Sequence, residues 1–270
     1  MLKKRVIFSL LYDNGSFMLS RNFRLQKIGN LKWLQKNYNF SHISFSIDEL
    51  LILDVTRGER DIEKFSQHVQ SLTEECFVPI AAGGGIRTLE CARKLLHSGA
   101  DKVVLNTIVA TNPELITEIA KEFGRQSIIV SVDVKVENNT LSVWTENGSV
   151  EQKEELTAWL AKINDLPVGE LYVNSIDRDG TGQGYKQELL INLPEKMRIP
   201  VIIAGGAGKF EHLSEGLNEQ SIDAVATAHL LNFVGDGLEK SRQLLLEKGF
   251  DLAKWDINKA KNLKDIITEK

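Results

Sequence analysis

Pro79-Ile80-Ala81-Ala82-Gly83-Gly84-Gly85-Ile86-Arg87 is the most informative stretch of this chain for its fold, together with the later counterpart Pro200-Val201-Ile202-Ile203-Ala204-Gly205-Gly206-Ala207-Gly208. Each is a short apolar run that a proline precedes and clustered glycines follow. Such a run is typical of a buried parallel strand that leads into a loop whose backbone amides can surround a phosphate. Because glycine has no Cβ, the backbone there can approach a ligand closely. The two copies lie 121 positions apart, which indicates a doubled unit.

The composition narrows the classes of function. At 270 residues, with 42% hydrophobic and 26% charged residues, the chain suits one large α/β barrel or two modest domains. A formal charge of -4 without a basic cluster argues against nucleic acid as a partner. The sequence contains no run of about 18 apolar residues, so we predict no membrane span. The apolar start leads into a turn at 13–15, so we interpret it as a first strand and not as a signal sequence.

The two cysteines, Cys76 and Cys91, do not have the spacing of a metal site and suit a reducing compartment. We therefore expect two incidental thiols, no metal, no cofactor and a cytoplasmic location.

Strand and helix patterns alternate along the chain. Eight apolar strands are predicted to begin near residues 5, 49, 79, 101, 127, 170, 200 and 223. Helices are predicted near 31–38, 60–74, 88–98, 151–163 and 236–248, and a further helix is predicted to begin at Pro113. Residues 16–40 are expected to form a long polar connection, and the charged segment 251–270 is expected to be a surface helix or a partner segment.

The two halves of the chain match in register. Glu49 aligns with Glu170 and Arg57 with Arg178, both at an offset of 121, and Asp101 aligns with Asp223 at an offset of 122. Four strand–helix units, repeated once, predict an α/β fold of the (β/α)₈ TIM-barrel class with a two-fold half-barrel repeat over residues 1–250. A doubly wound sheet is the alternative, but it would not need two matching halves.

Ligands of such a barrel bind in the loops at the C-terminal ends of the strands. The third and fourth strands end near Gly85 and at Asn106-Thr107, and the seventh and eighth end near Gly206 and at Ala228-His229. Two such loop pairs across the barrel predict two facing phosphate sites and a ligand with a phosphate at each end. A purely structural use of glycine in tight turns is the alternative.

Four aspartates, Asp54, Asp133, Asp177 and Asp179, lie at strand ends where a carboxylate can transfer protons. For Asp54 and Asp177 we favour a structural role, in which the carboxylate caps a loop or forms an ion pair with an arginine such as Arg57 or Arg178. Asp133 ends the fifth strand and is the better catalytic candidate. The repeat places Leu11 opposite it, so the first half has an apolar side chain where the second half has an acid.

The five histidines do not form a set. His42, His68, His97 and His212 fall on predicted helices or loops and are expected to be solvated, whereas His229 lies beside the expected phosphate loop. There it would either help to hold an anion or pack as a neutral ring.

Several segments together carry a family resemblance. They are Lys4-Arg5-Val6-Ile7, Ile47-Asp48-Glu49-Leu50, Gly83-Gly84-Gly85-Ile86, Gly99-Ala100-Asp101-Lys102-Val103, Ser175-Ile176-Asp177-Arg178-Asp179-Gly180-Thr181 and Gly205-Gly206-Ala207-Gly208-Lys209. With this set in order, residues 1–250 resemble the HisF family, the cyclase subunit of imidazole glycerol phosphate synthase. The resemblance implies a barrel of the ribulose-phosphate-binding type, and it adds Asp179 and Gly180 to the expected phosphate-binding residues.

The resemblance also implies a HisH-like glutaminase partner at the bottom of the barrel, from which ammonia passes along the barrel axis to a bisphosphorylated substrate. The family's entrance gate of four charged residues corresponds here to Arg5, Glu49, Lys102 and Glu170, and Asp101 corresponds to a residue that contacts the glutaminase. The plain alternative is that charges at the bottom of a barrel only satisfy one another.

The C-terminal end of the predicted barrel, where the substrate would bind, departs from the family pattern. Of the two aspartates that the family uses, one is retained as Asp133 and the other corresponds to Leu11. A substrate-holding lysine corresponds to Leu19, and two serines correspond to Ala204 and His229. Loss of one positioned acid–base group costs about 10²- to 10⁴-fold in rate, so the resemblance favours intact ammonia transfer over intact cyclase chemistry.

Three hypotheses follow. The leading one resembles paralogues found with surface-polysaccharide genes: the barrel passes ammonia from a glutaminase to a sugar amidotransferase. The second is a working cyclase of histidine biosynthesis that acts on a phosphorylated small molecule. The third is a catalytically silent scaffold that activates the glutaminase. None of them involves nucleic acid or a membrane.

Overall fold

The computed structural model describes residues 3–37, 43–137, 140–194, 197–228 and 236–255. The strands are β1 (Arg5–Asp13), β2 (Ser16–Arg21), β3 (Arg24–Asn30), β4 (Glu49–Asp54), β5 (Ile80–Gly83), β6 (Lys102–Leu105), β7 (Ile128–Glu137), β8 (Thr140–Thr145), β9 (Val150–Glu155), β10 (Glu170–Ser175), β11 (Val201–Ala204) and β12 (Ala224–Thr227). The helices are α1 (Leu31–Asn37), α2 (Ile62–Thr73), α3 (Leu89–His97), α4 (Ile108–Thr111), α5 (Glu114–Phe123), α6 (Leu156–Asp165), α7 (Gln187–Asn192), α8 (Phe210–Asn218) and α9 (Gly237–Glu247).

Eight of the strands are parallel and close into a barrel in the order β1-β4-β5-β6-β7-β10-β11-β12. The barrel closes where β12 pairs with β1, from Arg5 opposite Ala224 to Phe8 opposite Thr227. The predicted (β/α)₈ barrel is thereby confirmed. In this order β1 and β7 are separated by three strands on either side, so the first strands of the two sequence halves lie opposite each other.

The strands are continuous apolar runs because both of their faces are covered. Every residue of β5, β11 and β12 is buried. One face packs against the surrounding helices, and the other fills the barrel interior. The interior set contains Ile7, Leu51, Ala81, Val104, Ile129, Tyr172, Ile202, Ala204, Ala224 and Ala226.

Two of the helices begin at polar residues whose side chains cap them. The carboxylate of Asp61 accepts a hydrogen bond from Lys64 N at the start of α2, and the hydroxyl of Thr88 accepts one from Cys91 N at the start of α3. Gly99 follows α3, where the predicted helix 88–98 ends, and has a φ of +98°. Pro113 directly precedes α5, one position before the first helical residue.

Residues 16–30 correct one prediction. They form an antiparallel hairpin of β2 and β3 in place of a polar connection. Phe17 is fully buried, so the hairpin is held by packing that a largely polar composition conceals. Its turn places Asn22 and Phe23 at φ values of +51° and +62°. The helix predicted at 31–38 is confirmed as α1, and residues 38–42, which include His42, lie outside the described part of the chain.

A second hairpin corrects the helix predicted at 151–163. Residues 150–155 form β9, antiparallel to β8 with Trp144 opposite Glu151, and the helix begins at Leu156. The segment Val-Glu-Gln-Lys-Glu-Glu has helix-forming residues, but pairing with β8 overrides this weak preference. The Asn147-Gly148 pair in the turn, at φ values of +57° and +72°, is the local signal for a hairpin.

The chain returns to the bottom of the barrel after α9. Lys4 N donates to Asp251 O at 2.9 Å, and Leu252 is buried. The Arg242 guanidinium of α9 is almost fully buried and donates to both oxygens of Asp48 at 2.9 and 2.7 Å. Of the predicted segment 251–270, residues 256–270 lie outside the described part, and the expected boundary at residue 250 stays a prediction.

Candidate functional site

A cavity opens at the C-terminal ends of the barrel strands, and we call it the mouth. It is lined by loops from both halves of the barrel, and Leu11 of β1 and Asp133 of β7 both face it. The predicted phosphate-site residues that line the mouth are Gly85, Asn106, Thr107, Asp179, Gly180, Gly206 and Ala228. The fold therefore brings together residues from several loops, as expected for a barrel. His229 lies outside the described residues.

Asp133 is the acid at the centre of the mouth. Its Oδ2 accepts a hydrogen bond from Asn106 Nδ2 at 2.9 Å, and its Oδ1 accepts one from Asn174 Nδ2 at 3.1 Å. Burial, together with the nearby charge of Asp179, raises its pKa to about 7 against the lowering effect of the two amides. A carboxyl group with this pKa can accept and donate a proton near neutral pH.

The position opposite Asp133 is apolar. Leu11 pairs with Leu53 of β4 on one side and with Met18 of β2 on the other, and Leu11 and Leu53 line the mouth together with Leu25. Of the two strand positions that the repeat places opposite each other, Leu11 and Asp133, only the second therefore has a carboxylate.

The glycine-rich loops that follow β5 and β11, which we call the two glycine exits, have the close backbone approach that the sequence predicts. Gly84 and Gly206 have φ values of +108° and +112°. A Cβ on Gly84 would lie 2.1 Å from Asp54 O, and one on Gly206 would lie 2.1 Å from Gly184 O. Both glycines are therefore required by close backbone contacts, which supports the structural interpretation of these loops and leaves phosphate binding as a prediction.

The β2–β3 hairpin covers the second half of the mouth. Its turn is attached to the loop after β10: Asp179 Oδ2 accepts hydrogen bonds from Ser20 Oγ and, at 3.0 Å, from Phe23 N. Asn22 Nδ2 donates to Asp177 O at 2.7 Å. Asp179, expected to bind phosphate, therefore holds the hairpin, a contact that nothing local in the sequence indicates.

The β8–β9 turn covers the first half of the mouth. Glu146 accepts hydrogen bonds from Arg87 Nη2 at 2.7 and 2.9 Å, and its backbone N donates to Thr107 Oγ1 at 3.2 Å. Asn147 Oδ1 accepts from Arg60 Nη2 at 3.3 Å. The sequence-based prediction did not include Arg60, Glu146 or Asn147, although the Asn147-Gly148 hairpin signal would have located this turn.

Asp54 and Asp177 have the structural roles that were favoured. Asp54 Oδ1 accepts from Thr56 N at 2.9 Å, and Asp177 Oδ2 accepts from Val136 N at 2.6 Å. The arginine near Asp54 is Arg60, at 3.8 Å, and not Arg57. Arg57 donates to Phe23 O at 2.9 Å instead.

At the opposite end of the barrel, four charged side chains form a closed ring. Arg5 donates to Glu49 Oε2 at 3.0 Å and to Glu170 Oε2 at 2.8 Å. Lys102 Nζ donates to Glu49 Oε2 at 2.9 Å and to Glu170 Oε1 at 2.6 Å. Each acid contacts both bases, so the two acidic and two basic groups of the ring are all paired. We call it the basal ring.

The basal ring affects its two acids differently. Burial raises the pKa of Glu49, whose side chain is only 3% exposed. Burial acts in the same direction on Glu170, but the hydrogen bonds and charges of Arg5 and Lys102 lower the pKa of Glu170 overall. Asp101 lies beside the ring and accepts a hydrogen bond from Ile80 N at 2.8 Å, which orders the start of β5.

Between the basal ring and the mouth the interior is mostly apolar. Glu170, Tyr172 and Asn174 alternate along one face of β10, so Tyr172 lies between the basal ring and the amide that holds Asp133. Tyr172 OH lies 3.4 Å from Ser9 Oγ of β1, across the interior. Burial raises the pKa of this phenol well above its ordinary value, so the hydroxyl is neutral near pH 7.

The histidines outside the mouth differ from prediction at one position. His212 is buried, with 7% exposure, and its Nδ1 accepts from Gly208 N at 3.2 Å, because α8 packs against the loop after β11. His68 contacts the Tyr12 ring, and His97 is exposed. Among the described residues, no cluster of His, Cys, Asp or Glu could hold a metal ion, and Cys76 and Cys91 are free thiols. No helix within those residues is long and apolar enough to cross a membrane.

Known proteins resemble this chain over nearly all of its length. The model of the histidine biosynthesis protein family matches residues 36–235. A protein of Parasynechococcus marenigrum (strain WH8102), named "Putative imidazole glycerol phosphate synthase subunit hisF2", is 47% identical over 258 residues, which are 95% of this chain and 96% of that protein. "Imidazole glycerol phosphate synthase subunit HisF" of Chlorobium limicola is 34% identical, and that of Chlorobaculum parvum is 35% identical. Each is aligned over 250 residues, which are 92% of this chain and 98% of the relative.

Proposed function

The chain belongs to the histidine biosynthesis protein family and is a HisF-like barrel, and on that premise we propose that it is the barrel subunit of a glutamine amidotransferase. In this proposal a HisH-like glutaminase docks at the basal ring, beside Asp101. Ammonia enters there and travels through the barrel interior to the mouth. The observation that carries the proposal is the combination of a complete basal ring with a mouth that has a single central acid.

The basal ring suits a gate for a small neutral molecule. Its four side chains satisfy one another, so it closes the bottom of the barrel when nothing passes. Lys102 holds its place through a flexible four-carbon stem, and one rotation of that stem would open the ring without breaking the contacts of Arg5. A ring that only stabilised the barrel would not need charge, because apolar residues fill such positions equally well.

The interior above the ring favours ammonia over ammonium. Its walls are aliphatic apart from the neutral hydroxyls of Ser9, Tyr172 and Ser131. Moving an unpaired cation into such surroundings is very costly, whereas neutral ammonia loses only a few hydrogen bonds to water. The Tyr172 and Ser9 hydroxyls, 3.4 Å apart, can replace some of those bonds on the way to Asp133.

The mouth supports delivery of ammonia better than cyclisation. The resemblance to HisF implies two cooperating aspartates, and Leu11 leaves Asp133 without its partner across the barrel. We therefore place the acceptor of the ammonia on another protein. A sugar amidotransferase of surface-polysaccharide synthesis is the acceptor that the resemblance to HisF paralogues suggests, and the relative named hisF2 is consistent with a second HisF-like lineage.

A second candidate function is the cyclase step of histidine biosynthesis. It is favoured by 34% to 35% identity to proteins named as HisF subunits over almost their whole length. Retention of Asp133 and of both glycine exits at the mouth also favours it. A silent scaffold that only activates a glutaminase is the third.

One assay separates the first two candidates. The purified barrel is supplied with an ammonium salt and the bisphosphorylated aminoimidazole precursor, and imidazole glycerol phosphate is measured. We expect no product, because Asp133 alone cannot supply both proton transfers. Steady turnover would refute the proposal and establish the cyclase.

A charge reversal separates the conduit from the scaffold. In the complex that co-purifies with this chain, Glu49→Lys should leave glutamine hydrolysis running but release ammonia into bulk solvent, since the ring would hold three cations and one acid. The control is Glu154→Lys on the exposed β9. If ammonia release per glutamate formed is the same in Glu49→Lys as in the control, the barrel does not conduct ammonia.

A further inference from the structure

The side chain of Tyr172 lies at the floor of the mouth. Tyr172 belongs both to the interior set and to the residues that line the mouth, as Ser9 and Ser131 line it beside Tyr172. Among the described residues, the following members of the interior set do not line the mouth: Ile7, Leu51, Ala81, Ile129, Ile202 and Ala224. These residues therefore lie on the side of Tyr172 that faces the basal ring.

Tyr172 is the only aromatic residue of the described interior set. The other members are aliphatic, and the smallest are Ala81, Ala204, Ala224 and Ala226. Large side chains beside small ones fill a barrel interior without voids. Only 5% of Tyr172 is exposed, so its ring is packed among these neighbours. The ring therefore occupies the space through which a molecule from the basal ring would reach the mouth.

The Tyr172 ring is held in this position by a weak hydrogen bond. Its hydroxyl reaches from β10 to β1, where Ser9 Oγ is 3.4 Å away, and β11 and β12 lie between these two strands. Hydrogen bonds between hydroxyls are usually about 2.7–2.8 Å long, so this contact costs little to break. Because the mouth above the ring is open, the ring has space into which it can turn.

The floor lies within electrostatic reach of Asp133. Burial is the main cause of the raised pKa of Tyr172, and the charge of Asp133 adds to it. Asn174, which donates to Asp133 at 3.1 Å, is two residues further along β10 than Tyr172. A molecule that passes the ring therefore arrives beside the central acid.

We propose that Tyr172 is a second barrier to ammonia, above the basal ring: its ring closes the interior at the floor of the mouth, and ammonia enters the mouth when the ring turns away from Ser9. The inference rests on the proposed function, because it requires ammonia to travel through the interior. Two barriers in series enclose a section of the interior from which the water of the mouth is excluded. Ammonia stays neutral there, since apolar surroundings disfavour ammonium.

The reactivity of a thiol placed below the floor tests the proposal in the intact chain. In a parent chain with Cys76→Ala and Cys91→Ser, Ala81→Cys introduces a thiol on the side of Tyr172 that faces the basal ring. The probe is methyl methanethiosulfonate, a small neutral reagent that transfers its methylthio group to a thiol and releases methanesulfinate. Mass spectrometry of the chain gives the rate of modification.

Tyr172→Leu should raise this rate about 10-fold or more, because a buried thiol reacts through the states that expose it. Tyr172→Phe keeps the ring but loses the contact with Ser9, so its rate should lie between those of the parent and Tyr172→Leu. The matched control is Tyr185→Leu, which removes a similarly buried ring from the core outside the barrel. The Tyr185 hydroxyl donates to Ala226 O at 3.1 Å, and its loss should leave the rate unchanged.

Far-UV circular dichroism and thermal melting confirm that each variant is folded before it is modified. Equal rates in Tyr172→Leu and the parent would overturn the proposal, and so would an equal acceleration in Tyr185→Leu. The assay contains neither a glutaminase nor an acceptor, so its failure counts against the floor alone. Failure of Glu49→Lys to change the release of ammonia counts instead against the conduit on which the inference rests.

Discussion

Replacing Asp133 by asparagine should change the pH dependence of stability in a defined direction. Burial raises the pKa of Asp133 in the folded chain from its ordinary value of 3.8 to about 7. Between these values the folded protein holds a proton that the unfolded chain has released. The stability contributed by this group is therefore fully present below about pH 4 and is lost as the pH rises to about 7.

The magnitude follows from the size of the shift. About three pKa units at 1.36 kcal/mol each give about 4 kcal/mol of unfolding free energy that the wild type loses across this window. The amide introduced by Asp133→Asn does not titrate, so the variant does not lose this free energy. One pH-independent cost remains, because Asp133 accepts from both Asn106 and Asn174, whereas the single oxygen of an amide cannot serve both in the same way. That offset should be about 1–3 kcal/mol.

Urea denaturation of both proteins in steps from pH 4 to pH 8 measures the effect. The variant should be less stable at pH 4, and the difference should move in its favour by about 4 kcal/mol by about pH 7 and then level off. The difference between the two proteins cancels the titration of all other groups, so its slope reports Asp133 alone. A difference that stays constant with pH, or that moves in favour of the wild type, would refute the assignment of a buried, protonated acid.

Two further perturbations test contacts away from the central acid. Asp48→Ala should lower the unfolding free energy by about 3–5 kcal/mol, because Arg242 would keep its charge at 5% exposure without its partner; a loss below about 1 kcal/mol in urea denaturation would contradict this. Gly180→Ala places a Cβ 1.7 Å from Ser20 O, at a φ of +65°, so the β2–β3 hairpin should detach and trypsin should cleave at Arg21 faster than in the wild type. Equal cleavage rates would show that the hairpin is not held by this contact.

The barrel could be predicted from the sequence because its signals are local and repeated. Apolar runs that end in glycine mark the strands, and the offset of 121 between Glu49 and Glu170 marks the two halves. The predictions failed where pairing overrides composition. The acidic segment at 150–155 pairs with β8 although it resembles a helix, and the polar residues around Phe17 form a hairpin because that ring is buried.

Three features could be predicted from the sequence alone. They are the closed parallel barrel, the end of the barrel at which the candidate functional side chains lie, and the apolar Leu11 in place of an acid. The strands and the alternation of their side chains follow from patterns a few residues long, and the order of the strands follows from the repeated strand–helix units, so a single chain is sufficient to predict them. The proton affinity of Asp133, the attachment of the hairpin to Asp179 and the unpaired Nε of Arg60 emerge only from the folded molecule. Each of these depends on which groups from distant parts of the chain exclude water or fall just beyond hydrogen-bond distance, and no local pattern encodes that.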